Sequence, residues 1–331
     1  MSRLVGERAT ADKAHARCAL LGAGAAGLSC MLWLHDYGID TMWHAPVEDL
    51  GGILRRVNNR IHNYVGGRYD HGAHLREAFR QQLSTTPDLD GPSGRTVTGI
   101  VFGEEDAPHT LKLDDGTECT ADVVVLATGT RYRALGVPGE EELRGEFVAQ
   151  SGNREGARFA GLSVGLVGGG DAGFENALIL AERHHATVRM LLRNEEFRAR
   201  DEFVERVRAH PKISFHPFPT SVRAIERFGA RARLTLEVGP QTEHLVVDGL
   251  FVRIGTEPVL PELNQGLRAD DEGYLHVDHH QRTSRPRVLA AGDVVAHPLR
   301  AVATAVGAGA RAAYATAHLT GAFAGGKEEL A

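Results

Sequence analysis

Residues 162–173 carry the sequence LSVGLVGGGDAG, and this stretch decides the fold. It predicts a buried strand that runs into a glycine-rich turn, followed by a helix over Phe174–Arg183 and a second strand over Ala186–Leu192. In such a GxGxxG turn the first glycine permits the tight bend, the second lets the backbone approach a pyrophosphate, and the third lets helix pack on strand. The three glycines are Gly168, Gly170 and Gly173.

The same pattern occurs near the start of the chain. An apolar strand over Arg17–Leu21 leads into the turn GAGAAG at residues 22–27, and a helical run follows over Leu28–Tyr37. Its fingerprint positions are Gly22, Gly24 and Gly27. Two complete fingerprints, each inside its own βαβ unit, predict two dinucleotide-binding domains and not a solenoid.

Two further strand–turn segments complete the pattern. The first runs from Asp122 to Gly129, and the second runs from Pro286 to Asp293 before a helix rich in small residues over Ala301–Leu319. Asp293 lies where a carboxylate can accept hydrogen bonds from a ribityl hydroxyl, while the start of the helix faces a flavin. Together with the two fingerprints, these segments indicate a flavoprotein.

Composition excludes several other classes of protein. The 331 residues carry a net charge of −6, which leaves no basic footprint for nucleic acid. No apolar stretch approaches the ~20 residues of a membrane helix, and residues 1–16 lack the apolar core of a signal peptide, so we expect a cytoplasmic protein. Residues 325–331 are expected to be disordered.

Cysteine and histidine usage does not predict a metal site or a disulfide. The three cysteines, Cys18, Cys30 and Cys119, include no CxxC pair, and the first two are expected to be buried and unreactive. The histidine groups lack accompanying cysteines or carboxylates at ligand spacing, so no metal is expected. These groups are His184-His185, His279-His280, and His71 with His74.

On these motifs the chain resembles the low-molecular-weight thioredoxin reductase group of flavoproteins, which are class II pyridine nucleotide-disulfide oxidoreductases. The resemblance extends from about Ala16 to Thr320, and it is similar in kind to the thioredoxin-reductase-like ferredoxin–NADP reductases. The matching segments are Gly51-Gly52-Ile53-Leu54, Ala127-Thr128-Gly129, the GGGDAGFENA of residues 168–177, Gly292-Asp293-Val294 and Arg300-Ala301-Val302.

The resemblance implies an α/β fold with two Rossmann-type, three-layer domains and a homodimeric assembly. The FAD-binding domain would be discontinuous, over residues 1–138 and 255–331, and the NAD(P)H-binding domain would be an insert over residues 139–254. Gly/Pro-containing segments at both crossings, GVPG at 136–139 and GTEP at 255–258, suit two hinges.

The resemblance also implies the cofactor-binding residues. FAD phosphates would lie at the first fingerprint and the flavin ring near Gly52, Asn63, Asp293 and Arg300. The full FAD set is Gly22, Gly24, Ala26, Gly27, Gly51, Gly52, Leu54, Asn63, Thr128, Gly129, Gly292, Asp293, Arg300, Ala301 and Val302. The NAD(P)H set is Gly168, Gly170, Asp171, Ala172, Gly173, Glu175, Arg193, Arg198 and Gly255.

One departure from the family bears on function. Thioredoxin reductases carry a CxxC dithiol just before the second fingerprint, where this chain has Ser151-Gly152-Asn153-Arg154. Serine can neither attack a disulfide at its ordinary pKa nor resolve a mixed disulfide. Electrons would therefore leave directly from the flavin, as in the ferredoxin–NADP reductases, which the segment Asn59–Gly67 also resembles somewhat more closely.

The choice of nicotinamide depends on the loop after the second strand of the insert. In the family, three arginines in this loop hold the 2′-phosphate of NADPH. Here Arg193 and Arg198 match two of them, and Asn194 replaces the third. We expect NADPH, while Glu195 leaves NADH open, because a carboxylate at this strand end can accept from a 2′-hydroxyl.

Three functions are consistent with these residues. The first is a reductase that passes electrons from NAD(P)H through FAD to an external acceptor protein such as a ferredoxin or flavodoxin. The second is an FAD-dependent oxidase or dehydrogenase of a small organic, biosynthetic-pathway substrate, and the third is a flavin-bearing redox sensor. No catalytic residue is predicted firmly, and the candidates are His62, Tyr64, Ser151, Asn153 and Arg154.

Overall fold

A computed structural model describes residues 13–57, 60–104 and 106–323. Some of the predictions made from the sequence fall on residues outside this description, namely residues 1–12, Asn59 and residues 325–331. The chain divides into two compact units, one over residues 1–131 and 257–331 and the other over residues 132–256. We name them unit 1 and unit 2.

Seventeen strands and six helices are assigned within the described residues. The strands are β1 His15–Leu21, β2 Thr41–His44, β3 Val97–Val101, β4 His109–Leu113, β5 Glu118–Leu126, β6 Thr130–Tyr132, β7 Val148–Ala149, β8 Ser163–Val167, β9 Thr187–Leu191, β10 Ile213–Phe215, β11 Thr220–Phe228, β12 Arg231–Val238, β13 Gln241–Val247, β14 Gly249–Val252, β15 Thr256–Pro258, β16 Glu262–Leu263 and β17 Val288–Ala290. The helices are α1 Ala25–Asp36, α2 Gly72–Thr85, α3 Gly152–Glu155, α4 Asp171–Leu178, α5 Asp201–Ala209 and α6 Val302–Leu319.

Unit 1 is built on a seven-stranded sheet in the order β16-β3-β4-β5-β1-β2, with β17 paired to β5. The central strands β2, β1, β5 and β17 pair in parallel, while β3, β4 and β5 pair antiparallel. The predicted first βαβ unit is therefore confirmed as β1–α1–β2.

Both faces of this sheet are covered, as the continuous apolar strands predicted. Because successive side chains alternate between faces, β1 and β5 each contribute to two cores. One core packs beneath α1 and α6 and contains Cys18, Leu20, Val123 and Val125. The other lies on the opposite face and contains Ala19, Leu21, Val124 and Leu126.

Unit 2 contains a wholly parallel five-stranded sheet and a small antiparallel sheet. The parallel order is β10-β9-β8-β14-β7, and the antiparallel order is β11-β12-β13. The predicted second fingerprint lies between β8 and α4, and the predicted strand of residues 186–192 is β9. The helix expected to reach Arg183 ends as α4 at Leu178 and continues as a π-helical turn over Ile179–Arg183.

The crossings between the units differ in position from the sequence-based boundaries. Residues 132–138 and 255–256 were assigned to the FAD domain, whereas they cluster with unit 2. Residues 132–138 cluster with unit 2 because they make apolar contacts and a backbone hydrogen bond with that unit. Val137 contacts the unit 2 core, and the amide of Ile225 donates to the carbonyl of Pro138 at 2.9 Å. The glycine and proline residues correctly indicated turns at the crossings, but they did not show at which residue the chain passes from one hydrophobic core to the other.

The contact between α1 and α6 in unit 1 predicts a difference between two glycines of the same helix. A Cβ on Gly309 would lie 2.1 Å from the carbonyl oxygen of Ala26, whereas a Cβ on Gly307 would meet nothing within 4 Å. We expect Gly309→Ala to lower the free energy of unfolding by about 1–3 kcal/mol because the two helices must separate. Gly307→Ala, the matched control, should be neutral or stabilising by up to ~1 kcal/mol, since alanine favours the helix. Urea unfolding of both variants measures the difference, and equal effects would contradict the close helix contact.

Candidate functional site

In the first glycine turn, two of the three glycines are packed against protein backbone and the third faces open space. A Cβ on Gly22, whose φ is +106°, would lie 2.3 Å from the carbonyl oxygen of Ala127. A Cβ on Gly27 would lie 2.2 Å from the carbonyl oxygen of Gly22. Gly24, by contrast, has nothing within 4 Å of its Cβ position. The open position is the one at which the fingerprint lets a pyrophosphate approach the backbone.

The start of α1 is suited to an anion. Gly24 precedes the helix, no side chain caps it, and no acidic residue lies in the first turn. The amides of that turn have no intrahelical acceptor, so they and the helix dipole can bind phosphate. The amide of Gly51 donates to the carbonyl of Ala23 at 2.7 Å, and a Cβ on Gly52 would lie 2.9 Å from Cα of Gly24. The predicted Gly51–Leu54 segment therefore lies directly against the turn.

The carboxyl end of β17 brings Asp293 to the same region of unit 1. A Cβ on Gly292 would lie 2.7 Å from Cβ of Ala26, so the Gly292–Asp293 turn contacts the first turn of α1, within the fingerprint. Burial raises the pKa of the Asp293 carboxyl, and the nearby Arg300 guanidinium opposes that rise. The guanidinium of Arg300 lies 3.7 Å from the ring centroid of the buried Tyr274. A half-buried carboxylate beside an open backbone cradle fits the hydroxyl-rich chain of FAD.

Other predicted FAD residues also lie in unit 1, and polar groups of two of them are hydrogen-bonded within the protein. The hydroxyl of Thr128 donates to the carbonyl of Val259, and the amide of Ala301 donates to Oγ1 of Thr304 at 3.1 Å. Gly129 adopts φ +68° with open space at its Cβ position. Leu54 and Val302 belong to one small apolar cluster, which also includes Ile61 and Tyr64.

The loop after residue 60 carries three of the sequence candidates. The amide of Ile61 donates to the carbonyl of Tyr69 at 2.8 Å, which closes the loop. His62 and Asn63 are exposed on it. Tyr64 is half-buried against Phe79, and burial raises the pKa of its phenol. The Tyr64 side chain thus packs in an apolar cluster, while the roles of His62 and Asn63 stay predictions.

The second glycine turn, in unit 2, repeats the geometry of the first. Gly168 has φ +144°, and its Cβ would lie 2.2 Å from the carbonyl oxygen of Arg253. A Cβ on Gly173 would lie 2.1 Å from the carbonyl oxygen of Gly168. Gly170 is again open, with nothing within 4 Å. Each unit therefore carries an equivalent cradle.

An ion pair that the sequence analysis missed anchors the nicotinamide loop to this turn. The amide and Nε of Arg200 donate to the Asp171 carboxylate at 2.8 and 2.9 Å, and the amide of Arg198 donates to the carbonyl of Gly169 at 3.0 Å. Within the described ranges the side chains of Arg193 and Arg198 are exposed and make no hydrogen bond or ion pair. The signal for Arg200 was present, because it lies two residues after Arg198 on the same loop.

The remaining predicted nicotinamide residues occupy the turn, the helix and a crossing. Ala172 accepts a hydrogen bond from a side chain of α4 through its carbonyl, and Glu175 is partly exposed on the same helix. Gly255 lies at the second crossing with φ +94°. Their contact with a nucleotide stays a prediction.

The segment that stands in place of a dithiol is held by its own hydrogen bonds. Oγ of Ser151 accepts from the amide of Arg154 at 3.3 Å, and Oδ1 of Asn153 accepts from Nη1 of Arg183 at 2.6 Å. The Glu155 carboxylate accepts from the amides of Gln150 and Ser151, both at 3.0 Å, and pairs with Arg154 at 3.2 Å. Ser151 therefore caps the start of α3 and Asn153 contacts Arg183, while the catalytic roles considered for them and for Arg154 stay predictions.

Asn176 ties this segment to the second fingerprint, and the sequence analysis did not single it out. It is buried on α4, where its Oδ1 accepts from the amide of Gly152 and its Nδ2 donates to the carbonyl of Ala172, both at 2.7 Å. It belongs to the segment FENA at residues 174–177, and this polar residue on the buried face of a short helix was the available signal.

The cysteines are buried as predicted. Cys18 and Cys30 are fully buried in β1 and α1, and burial raises the pKa of both thiols. Cys119 is also buried, with Sγ 3.7 Å from Nε2 of His44. A raised pKa leaves little thiolate, which is the nucleophilic form.

The described part of the chain offers neither a metal-binding cluster nor a membrane-spanning helix. No three His, Cys, Asp or Glu side chains in it come together as a group that could bind a metal ion. Among its helices, none combines the length and apolar character that crossing a bilayer requires.

The chain matches known proteins over most of its length. The family model for pyridine nucleotide-disulphide oxidoreductases matches residues 16–311. The thioredoxin reductase of Mycolicibacterium smegmatis is 33% identical over 300 residues, covering 88% of this chain and 93% of that protein. That of Streptomyces clavuligerus is 35% identical over 302 residues, covering 89% and 90%.

A longer relative and a solved structure complete the comparison. An alkyl hydroperoxide reductase component of Pseudomonas putida is 30% identical over 302 residues, or 89% of this chain, which spans 56% of that relative. A crystal structure of Lactococcus lactis thioredoxin reductase superposes with a TM-score of 0.76 at 25% identity, over 92% of this chain and 99% of that one. The predicted α/β architecture with two Rossmann-type domains is confirmed by this likeness.

The two open glycines predict that each cofactor site can be blocked separately while the protein stays folded. Gly24 and Gly170 have φ of −73° and −101°, which any residue can adopt, and both have free space at Cβ. Valine at either position should therefore lower the free energy of unfolding by no more than about 2 kcal/mol, a loss that comes from replacing glycine at a helix N-cap. Gly24→Val should abolish FAD binding because the side chain fills the pyrophosphate position. Gly170→Val should retain FAD and lose nicotinamide binding.

Flavin absorbance of the purified variants and calorimetric titration with NADPH measure the two effects. Each variant serves as the control for the other. Loss of FAD from Gly170→Val, or retention of FAD by Gly24→Val, would contradict the assignment of the two turns.

Proposed function

The chain belongs to the pyridine nucleotide-disulphide oxidoreductase family, and from that basis we propose that it takes electrons from NADPH and passes them to an external acceptor without a redox dithiol. The observation that carries the proposal is the pair of open glycine cradles on separate units, combined with the absence of any CxxC in the sequence. FAD, when bound, would supply the chemistry of accepting a hydride and releasing electrons. The acceptor would be a protein such as a ferredoxin or flavodoxin.

The residues of unit 1 suit the binding of FAD. The uncapped amides at the start of α1 would bind its diphosphate, with Gly24 leaving the space that the group needs. Asp293, with its raised pKa, would gain hydrogen bonds from ribityl hydroxyls, which would offset part of the cost of its burial. These residues would bind and orient the cofactor.

The state of the serine and cysteine side chains supports the absence of a dithiol relay. Ser151 caps α3, and Asn153 accepts from Arg183, so neither is positioned as a redox group. Cys18 and Cys30 are fully buried, with thiol pKa values raised by burial. Thiol–disulfide exchange needs an accessible thiolate, which these residues do not offer. This chain would therefore differ in mechanism from its thioredoxin reductase relatives.

Two exposed arginines support the preference for NADPH. Arg193 is the second residue after the end of β9, and the backbone amide of Arg198 is hydrogen-bonded to the carbonyl of Gly169. Among the described residues, neither guanidinium group makes an ion pair. Such groups suit bidentate binding of a 2′-phosphate. Glu195 is exposed on the same loop and is the residue that would favour NADH.

The assembly and the location of the protein stay predictions from the sequence. We propose a homodimer and a cytoplasmic protein, with no nucleic-acid or membrane partner. An acidic carrier would need a basic docking face, for which the arginines of unit 2 are candidates. On α5, however, Arg206 pairs with Glu182, and Arg208 lies 5.5 Å from the ring centroid of Phe197, so part of that positive charge is already engaged.

Anaerobic reduction tests the proposed function. Mixing the FAD-loaded protein with NADPH should bleach the flavin absorbance within seconds, and ferredoxin or flavodoxin should restore it without added thioredoxin. Stopped-flow absorbance near the flavin maximum measures both steps. Flavin that stays oxidised with NADPH and NADH, and is reduced only by an organic substrate, would contradict the proposal and favour a substrate oxidase. Reduction that no acceptor reverses would favour a redox sensor.

The nicotinamide preference gives a separate prediction. Arg193→Ala should weaken NADPH binding by roughly ten- to a hundredfold, because a charge-assisted hydrogen bond contributes about 1.5–3 kcal/mol. NADH binding should be unchanged, since NADH lacks the 2′-phosphate. Calorimetry on the wild type, on Arg193→Ala and on the control Arg223→Ala, an exposed arginine paired with Glu237, measures this. Equal losses for both nucleotides would contradict the assignment of Arg193.

A further inference from the structure

Arg253 lies beside the second glycine turn. It directly follows β14, and its amide donates to the carbonyl of Val167, the last residue of β8, at 2.7 Å. A Cβ on Gly168 would lie 3.2 Å from Cβ of Arg253. The base of the arginine side chain therefore flanks the turn that would hold the dinucleotide in unit 2.

The guanidinium of Arg253 is held in one place. Its Nη1 donates to the carbonyl of Gln150 at 3.0 Å, and its central carbon lies 4.7 Å from the ring centroid of Tyr132. Gln150, Tyr132 and Arg253 all belong to unit 2. A cation fixed on a carbonyl and an aromatic face acts as a localised charge and does not sample solvent as a surface arginine does.

This charge has no counter-ion within the described residues. No carboxylate in them lies within ion-pair distance of Arg253, and its Nε is buried without a hydrogen-bond acceptor. Several other arginines of unit 2 are paired with carboxylates, whereas Arg193 and Arg198, unpaired among the described residues, are exposed to solvent and Arg253 is half-buried. The paired arginines include Arg200, Arg206, Arg223, Arg227, Arg231 and Arg233. A half-buried charge that lacks a counter-ion is only weakly screened, so its field acts on whatever binds next to it.

The sheet order shows which half of a dinucleotide this field would reach. In unit 2 the strand order is β10-β9-β8-β14-β7, so β8 and β14 flank the switch point at which such sheets bind ligands. Arg193 follows the β9 side, where the 2′-phosphate of the adenosine half is proposed to bind. Arg253 follows β14, on the other side of β8, and so lies on the nicotinamide half.

We propose that Arg253 is a specificity-determining residue that makes unit 2 bind reduced nicotinamide in preference to oxidised nicotinamide. The reduced ring is neutral, and loss of a hydride leaves the oxidised ring with a positive charge, which the Arg253 guanidinium repels. The site would therefore release the oxidised dinucleotide once the hydride has left. This inference rests on the proposed use of a nicotinamide dinucleotide in unit 2.

A ratio of two dissociation constants isolates the effect. NADP+ and 1,4,5,6-tetrahydro-NADP, a neutral-ring analogue that donates no hydride, carry the same diphosphate and the same 2′-phosphate. Their affinity ratio at one site thus reports only on the ring and its charge. Calorimetric titration of the full-length protein with oxidised FAD bound measures both constants without turnover.

The wild-type protein should bind the neutral analogue about tenfold or more tightly than NADP+. Arg253→Met, which retains much of the side-chain volume without the charge, should reduce that ratio by about tenfold, whereas Arg253→Lys should retain most of it. Arg223→Met, which removes an exposed and paired arginine of the same unit, should leave the ratio unchanged. Because each ratio is taken within one variant, a general loss of stability cancels.

Two outcomes would overturn the inference while the proposed function stands. They are a wild-type ratio near one, which requires no variant, and an unchanged ratio in Arg253→Met. Wild-type protein that binds neither dinucleotide would overturn the proposed function, and this inference with it.

Discussion

Both candidate sites depend on one steric constraint, the approach of a helix to the carbonyl oxygen of the turn that precedes it. The position of a Cβ on Gly27 lies 2.2 Å from the oxygen of Gly22, and that of a Cβ on Gly173 lies 2.1 Å from the oxygen of Gly168. No side chain fits at such distances, so only glycine lets α1 and α4 begin where they do. The helix amides are thereby directed at the open middle position of each turn, which is where a phosphate can bind.

The sequence predicted this part of the structure well because the constraint is local. Strand, turn and helix are contiguous in the chain, and the apolar runs of β1, β5 and β8 are explained by burial on both faces of a sheet. The unit crossings were less predictable, since they depend on which core residues 132–138 join. The helix reaches Arg183 as predicted, but its change from α-helix to π-helix after Leu178 had no glycine or proline to mark it.

The side chains around the second turn could not be predicted because their partners are distant in sequence. Arg200 meets Asp171 across 29 positions, and Arg253 meets Gln150 across 103. Around Ser151–Arg154, Asn176 and Glu155 together accept three backbone hydrogen bonds, which only the folded arrangement of α3 and α4 reveals. This network explains how the segment keeps a defined backbone without a disulfide.

If the two turns hold two different nucleotides at once, the binding stoichiometry of the purified protein will show it. We expect one FAD per chain, measured by flavin absorbance after release, and one NADPH-analogue site per chain in a titration that displaces no flavin. A colourless protein that takes up no FAD on reconstitution, or a titration in which the second nucleotide displaces the first, would contradict two separate nucleotide sites.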